Sequence, residues 1–123
     1  MVSILEELHS GLRDATGLLT FSELPADSFK LPLIVIAEVN NQSNVVAMDG
    51  LTEIATLTYN VTIYCENEDD IYKYQDMIDE YMRTNVKRFN AQYSQIRQKY
   101  PIYYRQLKYS GTVRKIGNQI HIL

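Results

Sequence analysis

The sequence contains a single cysteine, Cys65, and no tryptophan, and it has only five glycines and three prolines in 123 residues. One thiol cannot form an internal disulfide, which excludes a disulfide-stapled scaffold and fits a reducing compartment. The low glycine and proline content argues against a disordered linker or a fibrous repeat. With 46% hydrophobic and 22% charged residues, the composition predicts one globular domain, residues 1–123.

Long hydrophobic runs are also missing. The longest one, residues 31–37, falls far short of the roughly 20 residues that a membrane-spanning helix needs. Near the N-terminus, Glu6 and Glu7 stand where a secretion signal has a basic region. We therefore expect no membrane segment and no secretion signal.

Acidic residues are missing from the C-terminal part of the chain, and basic residues are scarce in the rest. Residues 1–80 contain all 15 acidic residues and three bases, a formal charge of −12, whereas residues 81–123 contain nine bases and no acid. If folding keeps the two parts even partly separate, the molecule is an electrostatic dipole. Identical copies can then stack acidic side against basic side, as in a head-to-tail ring. If folding interleaves the two parts, the dipole cancels.

Apolar residues at helical spacing predict two helices. The first covers residues 4–15, begins with a capping box formed by Ser3 and Glu6, and stops at Gly17. The second begins after Asn67, with acidic residues in its first turn and basic residues near its end, which complements the helix dipole. Its inner stripe consists of Ile71, Tyr74, Ile78, Tyr81 with Met82, and Asn85 or Val86. The spacing of Tyr93, Ile96 and Tyr100 extends the helical pattern up to Pro101.

The remaining segments read as strands. Residues 21–24 form a short candidate strand, and residues 31–38 are short, apolar and β-branched. Residues 57–65 alternate between apolar and polar, and residues 103–116 and 119–123 close the chain around a Gly117-Asn118 turn. Residues 40–44 are polar and loop-like, and Asp49-Gly50 is a hairpin signal. The order α-β-β(β)-α-β-β predicts an α+β fold, a mostly antiparallel sheet with helices packed on one face.

The candidate catalytic residues are few and scattered. His9 and His121 lie far apart in sequence, and neither has a second ligand at metal-binding spacing. Cys65 ends an apolar strand face, which favours a buried structural thiol. The carboxylates of the second helix could form an acid–base pair, but a solvated helix face explains them more simply: Asp69, Asp70, Asp76, Asp79 and Glu80. We therefore expect no enzyme activity, no metal and no cofactor.

Nucleic-acid binding is the competing interpretation of the C-terminal part. Its bases interleave with tyrosines, the combination that single-strand binders use for phosphate contact and base stacking: Tyr93, Tyr100, Tyr103, Tyr104 and Tyr109. Tyrosines that alternate in a sheet also pack by the ring and leave the hydroxyl in water. The sequence pI of about 5.3 argues against a dedicated binder.

With these residues placed, most of the chain resembles the tail-terminator (tail-completion) proteins of tailed bacteriophages. An N-terminal helix is followed by LPLIVIAEVNNQS at residues 31–43 and TLTYNVTIYCEN at residues 56–67. The helix DDIYKYQDMIDEYM at residues 69–82 and a basic terminal hairpin complete the pattern. Neck and head-completion proteins of similar size share this profile and are the alternative within the same class.

The resemblance implies a structural assembly protein without chemistry. Such a protein forms a ring, usually of six copies, on the head-proximal end of the tail tube, stops tube polymerisation and joins the tail to the head connector. The implied location is the virion, after assembly in the host cytoplasm. Double-stranded DNA would pass through the ring without specific binding, along a negative lining supplied by acids of residues 1–80. The residues that we expect at interfaces are Arg97, Lys99, Tyr103, Tyr104, Arg105, Lys108, Asn40, Asn41, Asn44 and Asp49.

Overall fold

In the part of the chain that the structure describes, seven strands form one sheet, and two helices pack against one side of it. The computed structural model describes residues 4–25, 30–46, 52–85 and 89–123. Along these residues the elements are α1 (Leu5–Thr16), β1 (Thr20–Phe21), β2 (Leu33–Val46), β3 (Thr52–Cys65), α2 (Glu68–Asn85), β4 (Asn90–Tyr93), β5 (Arg97–Lys99), β6 (Ile102–Ile116) and β7 (Gln119–Ile122). The predicted α+β fold with a mostly antiparallel sheet is confirmed.

The long strand β6 organises one side of the sheet. It runs antiparallel to β3 from Tyr103 to Ile116, and its other edge is shared by three short strands in series, β5, β4 and β7. Beyond β3 lies β2, and then β1, which is parallel to β2. Gly117, with a φ of 59°, forms the predicted tight turn before β7.

The core lies between the helices and one face of the sheet. Every second residue of β3 points into it, so the predicted alternation is confirmed. The helices close the core with apolar stripes, and neither described helix is long and apolar enough to cross a membrane. The buried side chains include Ala55, Leu57, Tyr59, Val61, Ile63 and Cys65 from β3, Leu107, Tyr109 and Val113 from β6, Ile71, Ile78 and Met82 from α2, and Leu8 and Leu12 from α1.

Residues 40–44, predicted to form a loop, continue strand β2 instead. The ladder between β2 and β3 extends to the pair Val46↔Glu53, because β3 is long enough to pair these backbone groups. One extra residue, Val39, shifts the register between Glu38 and Asn40 and is 54% exposed. The bulge brings Asn41 opposite the core residue Leu57. The predicted Asp49-Gly50 turn lies outside the described residues.

The predicted helical continuation through Tyr93, Ile96 and Tyr100 is wrong. Tyr93 ends β4, Ile96 packs partly buried against the core, and Tyr100 is 88% exposed. The free edge of β6 decides the outcome, because it offers backbone partners to β4 and β5. Between these strands, the Gln106 N–H donates to Ser94 Oγ at 3.0 Å and the Ser94 N–H to the Gln106 carbonyl at 3.0 Å.

The predicted capping box of helix α1 involves Ser3 and therefore lies outside the described residues. The N-cap residue is Ile4, without a side-chain capping bond. The Ile4 N–H donates to Tyr59 Oη at 3.1 Å, and that hydroxyl donates to Glu38 Oε1 at 3.0 Å. The start of the helix is therefore held by the sheet. The predicted stop at Gly17 is confirmed, because its φ of 73° is left-handed.

The two helices meet closely at Gly11 of α1. The Tyr81 ring of α2 occupies the space that a side chain at position 11 would need, and Tyr81 Oη donates to the Glu7 carbonyl at 3.3 Å. In an open helix, Gly→Ala stabilises by about 1 kcal/mol. Here we expect Gly11→Ala to destabilise the protein by about 1–2 kcal/mol in urea unfolding, because overpacking exceeds the propensity gain.

A double-mutant cycle tests this packing. In a Tyr81→Ala background the obstructing ring is absent, so Gly11→Ala should regain its helix-propensity benefit and stabilise by about 1 kcal/mol. The sign of the Gly11→Ala effect should therefore reverse between the two backgrounds. An equal change in unfolding free energy in both backgrounds would show that Tyr81 does not cause the destabilisation by Gly11→Ala.

Candidate interaction surfaces

Helices α1 and α2, the helix layer, concentrate negative charge on one side of the molecule. Together they contain nine acidic residues and three bases, a formal charge of −6. Because apolar side chains of both helices face the sheet, most of these charges lie on the outer surface. The acids are Glu6, Glu7 and Asp14 on α1 and Glu68, Asp69, Asp70, Asp76, Asp79 and Glu80 on α2.

The outward side of α2 carries an exposed acidic stripe, defined by Asp69, Asp76 and Glu80. These residues point away from the buried Ile71 and Ile78, as helical periodicity requires. Lys73 lies on the same side, with its Nζ 5.3 Å from the centroid of the Tyr74 ring. The acidic stripe therefore keeps a net negative charge next to solvent.

The sheet face turned away from the helices, the open face, is polar at its centre and has apolar residues towards the strand ends. Its residues alternate with core residues in β3 and β6, and cross-strand partners share a face. At its centre Thr58 Oγ1 and Ser110 Oγ lie 3.0 Å apart in a hydrogen bond. The open face comprises Ile54, Thr56, Thr58, Asn60, Thr62 and Tyr64 of β3, Ile102, Tyr104, Gln106, Lys108, Ser110, Thr112, Arg114 and Ile116 of β6, Asn90 and Gln92 of β4, Arg97 and Lys99 of β5, and the buried Leu33 with Val35, Ala37 and Asn40 of β2.

The open face carries positive charge. Lys108 and Arg114 are exposed on β6, and Arg97 and Lys99 are exposed on β5 opposite Tyr104 and Ile102. None of the open-face residues named above is acidic. The sheet thus separates a negative helix layer from a positive open face, and this part of the charge asymmetry survives folding even though β3 and β6 interleave the two parts of the chain.

Two tyrosines stack at one end of the open face. The ring centroids of Tyr64 and Tyr104 lie 5.7 Å apart with an interplanar angle of 25°. Partial burial, and then the neighbouring Tyr104, raise the pKa of Tyr64 above its ordinary value. Tyr64 is therefore neutral at physiological pH. The two rings offer stacking surface next to Arg97.

The structure brings together five of the ten expected interface residues and separates the others. Tyr103 and Arg105 point to the helix side of β6. Asn41 Nδ2 donates to Glu38 Oε1 at 3.3 Å, Asn44 lies in β2, and Asp49 is outside the described residues. The five on the open face are Arg97, Lys99, Tyr104, Lys108 and Asn40.

Arg105 makes its contacts within the molecule. Its Nε donates to the Ser94 carbonyl at 2.8 Å and its Nη1 to Gln75 Oε1 at 2.9 Å. The guanidinium carbon lies 6.0 Å from the centroid of the Tyr72 ring and 5.6 Å from that of Tyr93. Arg105 therefore links α2 to the segment between the edge strands β4 and β5, and it is not part of the open face.

Sequence reasoning missed the contribution of Arg114, Gln106 and Ser110 to the open face. The available signal was the period of two in the closing strand: residues of one parity face the helices and those of the other parity face away. That signal separates Lys108 and Arg114 from Arg105 without any structure.

Asp79 is the centre of a polar cluster between α2 and the sheet. Tyr109 Oη donates to Asp79 Oδ1 at 2.5 Å, and Tyr93 Oη lies 2.9 Å from both carboxylate oxygens. Burial, followed by the hydrogen bond to Asp79, raises the pKa of both Tyr109 and Tyr93. The adjoining cavity of about 120 Å³ is also lined by Arg83 and Phe89.

This cluster corrects one expectation about the carboxylates. Asp76 and Glu80 are exposed, as a solvated helix face predicts. Asp79 is half-buried and accepts hydrogen bonds from the hydroxyls of both tyrosines. The hydroxyls of Tyr93 and Tyr109 point at the carboxylate, so the arrangement joins α2 to β4 and β6. We interpret it as a structural clamp.

The other candidates for chemistry lie apart from the Asp79 cluster. His9 is half-buried on α1, and His121 is exposed on β7. Cys65 is a buried thiol, as predicted, and burial together with the nearby Asp70 raises its pKa to about 12. A thiol with that pKa is not a nucleophile at neutral pH. Among the described residues, no cluster of three or more His, Cys, Asp or Glu side chains could hold a metal ion.

The chain was compared with known proteins. No model of a protein family matches it, and no curated protein sequence matches it.

Proposed function

We propose that this protein is a structural assembly protein of a phage tail, which forms a ring on the head-proximal end of the tail tube, stops tube polymerisation and joins the tail to the head connector. The proposal starts from the resemblance of residues 31–43, 56–67 and 69–82 to tail-terminator proteins. Its partners are copies of itself, six in the resembling family, together with the tube protein and the connector.

One observation carries the proposal: the molecule has a negative helix layer and a positive open face on opposite sides of one sheet. Surfaces of opposite charge on opposite sides of a protomer favour heterologous, head-to-tail contacts. Such contacts give a closed ring when the rotation between copies closes. The charge pattern therefore supports repeated self-association, which a ring protein needs.

The test is assembly, alone and with tube protein. At low ionic strength (~0.05 M) we expect sedimentation velocity to show an oligomer, and at ~0.5 M the oligomer should dissociate towards monomers because screening weakens charge contacts. Added to the tail-tube protein of the same genome, the chain should shorten the tubes seen by negative-stain electron microscopy and sit at one end. Tubes of unchanged length and bare ends would contradict the proposal.

A second candidate function is binding of single-stranded nucleic acid. The stacked Tyr64 and Tyr104, beside Arg97 on a positive sheet face, favour it. This function predicts steep salt-dependent retention of the chain on single-stranded DNA. The net charge of −3 works against it, because the whole molecule repels a polyanion.

A further inference from the structure

We infer that the open face of one copy is covered by the helix layer of a second copy, with the acidic stripe of α2 lying against Lys108 and Arg114 of β6. This inference rests on the proposed function, because it identifies the contact between neighbouring subunits. The inferred contact can be wrong while the proposed function is right, because a ring can be built through other surfaces.

Charge complementarity selects the occupant of the open face. The surface has exposed bases at Arg97, Lys99, Lys108 and Arg114, and the same chain presents a layer with a formal charge of −6. Complementary potentials of this kind steer association and fix the orientation of the partners. A second copy is always available at the same concentration as the first.

The dimensions of the two surfaces match. Asp69 and Glu80 are 11 residues apart on α2, which corresponds to roughly 16 Å along the helix axis. Lys108 and Arg114 are six residues apart on β6, which corresponds to roughly 20 Å along the strand. An α2 helix laid along β6 can therefore place both ends of the acidic stripe near a base.

The open face is large enough for a stable contact. Four strands across and 14 residues along give a face of roughly 19 by 48 Å, or about 900 Å². Stable protein interfaces bury about 800 Å² on each partner. Threonine, serine and asparagine side chains at its centre are short, so a helix can approach the sheet closely.

Tyr72 provides an apolar contact beside the acidic stripe. It lies on α2 between Asp69 and Asp76 in sequence, and its side chain is 51% exposed. When a partner covers a half-exposed tyrosine, its apolar ring is removed from water, which favours association. Its hydroxyl can still form a hydrogen bond. The contact is therefore not electrostatic alone.

A charge-swap experiment tests the inference. Lys108→Glu/Arg114→Glu makes the open face acidic, and Asp76→Lys/Glu80→Lys makes the acidic stripe basic. Each double variant alone should raise the dissociation constant of self-association by at least ~100-fold, because like charges then face each other. An equimolar mixture of the two should associate again, since every contact between unlike chains is complementary.

The matched control is Arg13→Glu/Lys30→Glu. It changes the net charge by the same amount as Lys108→Glu/Arg114→Glu, but it leaves the open face intact and makes the helix layer more acidic. On this inference it should therefore associate at least as strongly as the wild type, whereas a general net-charge effect would weaken association. Circular dichroism and thermal unfolding of each variant verify that the monomer folds. Sedimentation velocity at low ionic strength measures association.

Three results would overturn the inference: self-association of Lys108→Glu/Arg114→Glu at wild-type strength, no recovery in the mixture, or a wild-type chain that stays monomeric. Loss of binding to a fluorescent single-stranded oligonucleotide in Lys108→Glu/Arg114→Glu, without loss of self-association, would assign the open face to nucleic acid. If the swap behaves as expected but tubes stay uncapped, the contact stands and the tail function fails. If tubes are capped and the swap has no effect, the tail function stands and the proposed contact fails.

Discussion

Asp79→Ala is expected to destabilise the protein by about 3 kcal/mol. The substitution removes the acceptor of both tyrosine hydroxyls and leaves the Tyr109 hydroxyl, in a side chain that is 3% exposed, without that carboxylate. Hydrogen bonds to a charged group contribute about 1.5–3 kcal/mol each, and an unsatisfied buried donor adds a desolvation cost. The bond to the more exposed Tyr93 contributes the smaller share.

Asp76→Ala is the matched control for this prediction. It removes an aspartate carboxylate three residues earlier on the same helix, at an exposed position. It should change the unfolding free energy by less than about 0.5 kcal/mol. Urea unfolding followed by circular dichroism measures both variants. Equal stability losses would mean that the clamp contributes nothing beyond helix electrostatics.

Stability should also fall at alkaline pH, and Tyr109 should account for a defined part of that loss. Its pKa is raised in the folded state by burial and by the hydrogen bond to Asp79. The proton is therefore held more tightly in the folded chain than in the unfolded one, so the stabilisation is complete below pH ~10 and is lost as the pH rises through the raised pKa. Between pH 10 and 12 this loss amounts to about 2 kcal/mol.

Comparison with Tyr109→Phe isolates that contribution. Over the same pH range the unfolding free energy of the variant should fall by about 2 kcal/mol less than that of the wild type, although the variant starts from a lower value. Tyr100→Phe, at an 88% exposed position, should leave the wild-type slope unchanged. Parallel curves for wild type and Tyr109→Phe would refute a raised pKa at this site.

Local patterns predicted the helices and the central strand well. The apolar stripe of Ile71 and Ile78, the stop at Gly17 and the alternation through Tyr59 each depend on residues close in sequence, and each is present in the structure. Short-range periodicity determines which face of an element is apolar, whatever it packs against. The fold class followed from the order of these elements.

The errors occurred where distant partners decide the local structure. The polar residues 40–44 form strand because β3 pairs with them, and residues 90–93 and 97–99 form strands because β6 has a free edge. Likewise, Asp79 differs from Asp76 only through Tyr93 and Tyr109, which come from other elements. These partner strands and tyrosines are distant in sequence, so the pattern of neighbouring residues does not reveal them.

The sequence by itself determined the apolar faces, the end of α1 at Gly17 and the unequal distribution of charge between the two parts of the chain. Only the tertiary structure decided which side of the sheet the acidic helices cover. The acidic helices pack on the side of β6 that Arg105 faces, which leaves Lys108 and Arg114 on the opposite side of the sheet. The reason is geometric: side chains alternate across a sheet, and the helices cover one face of it.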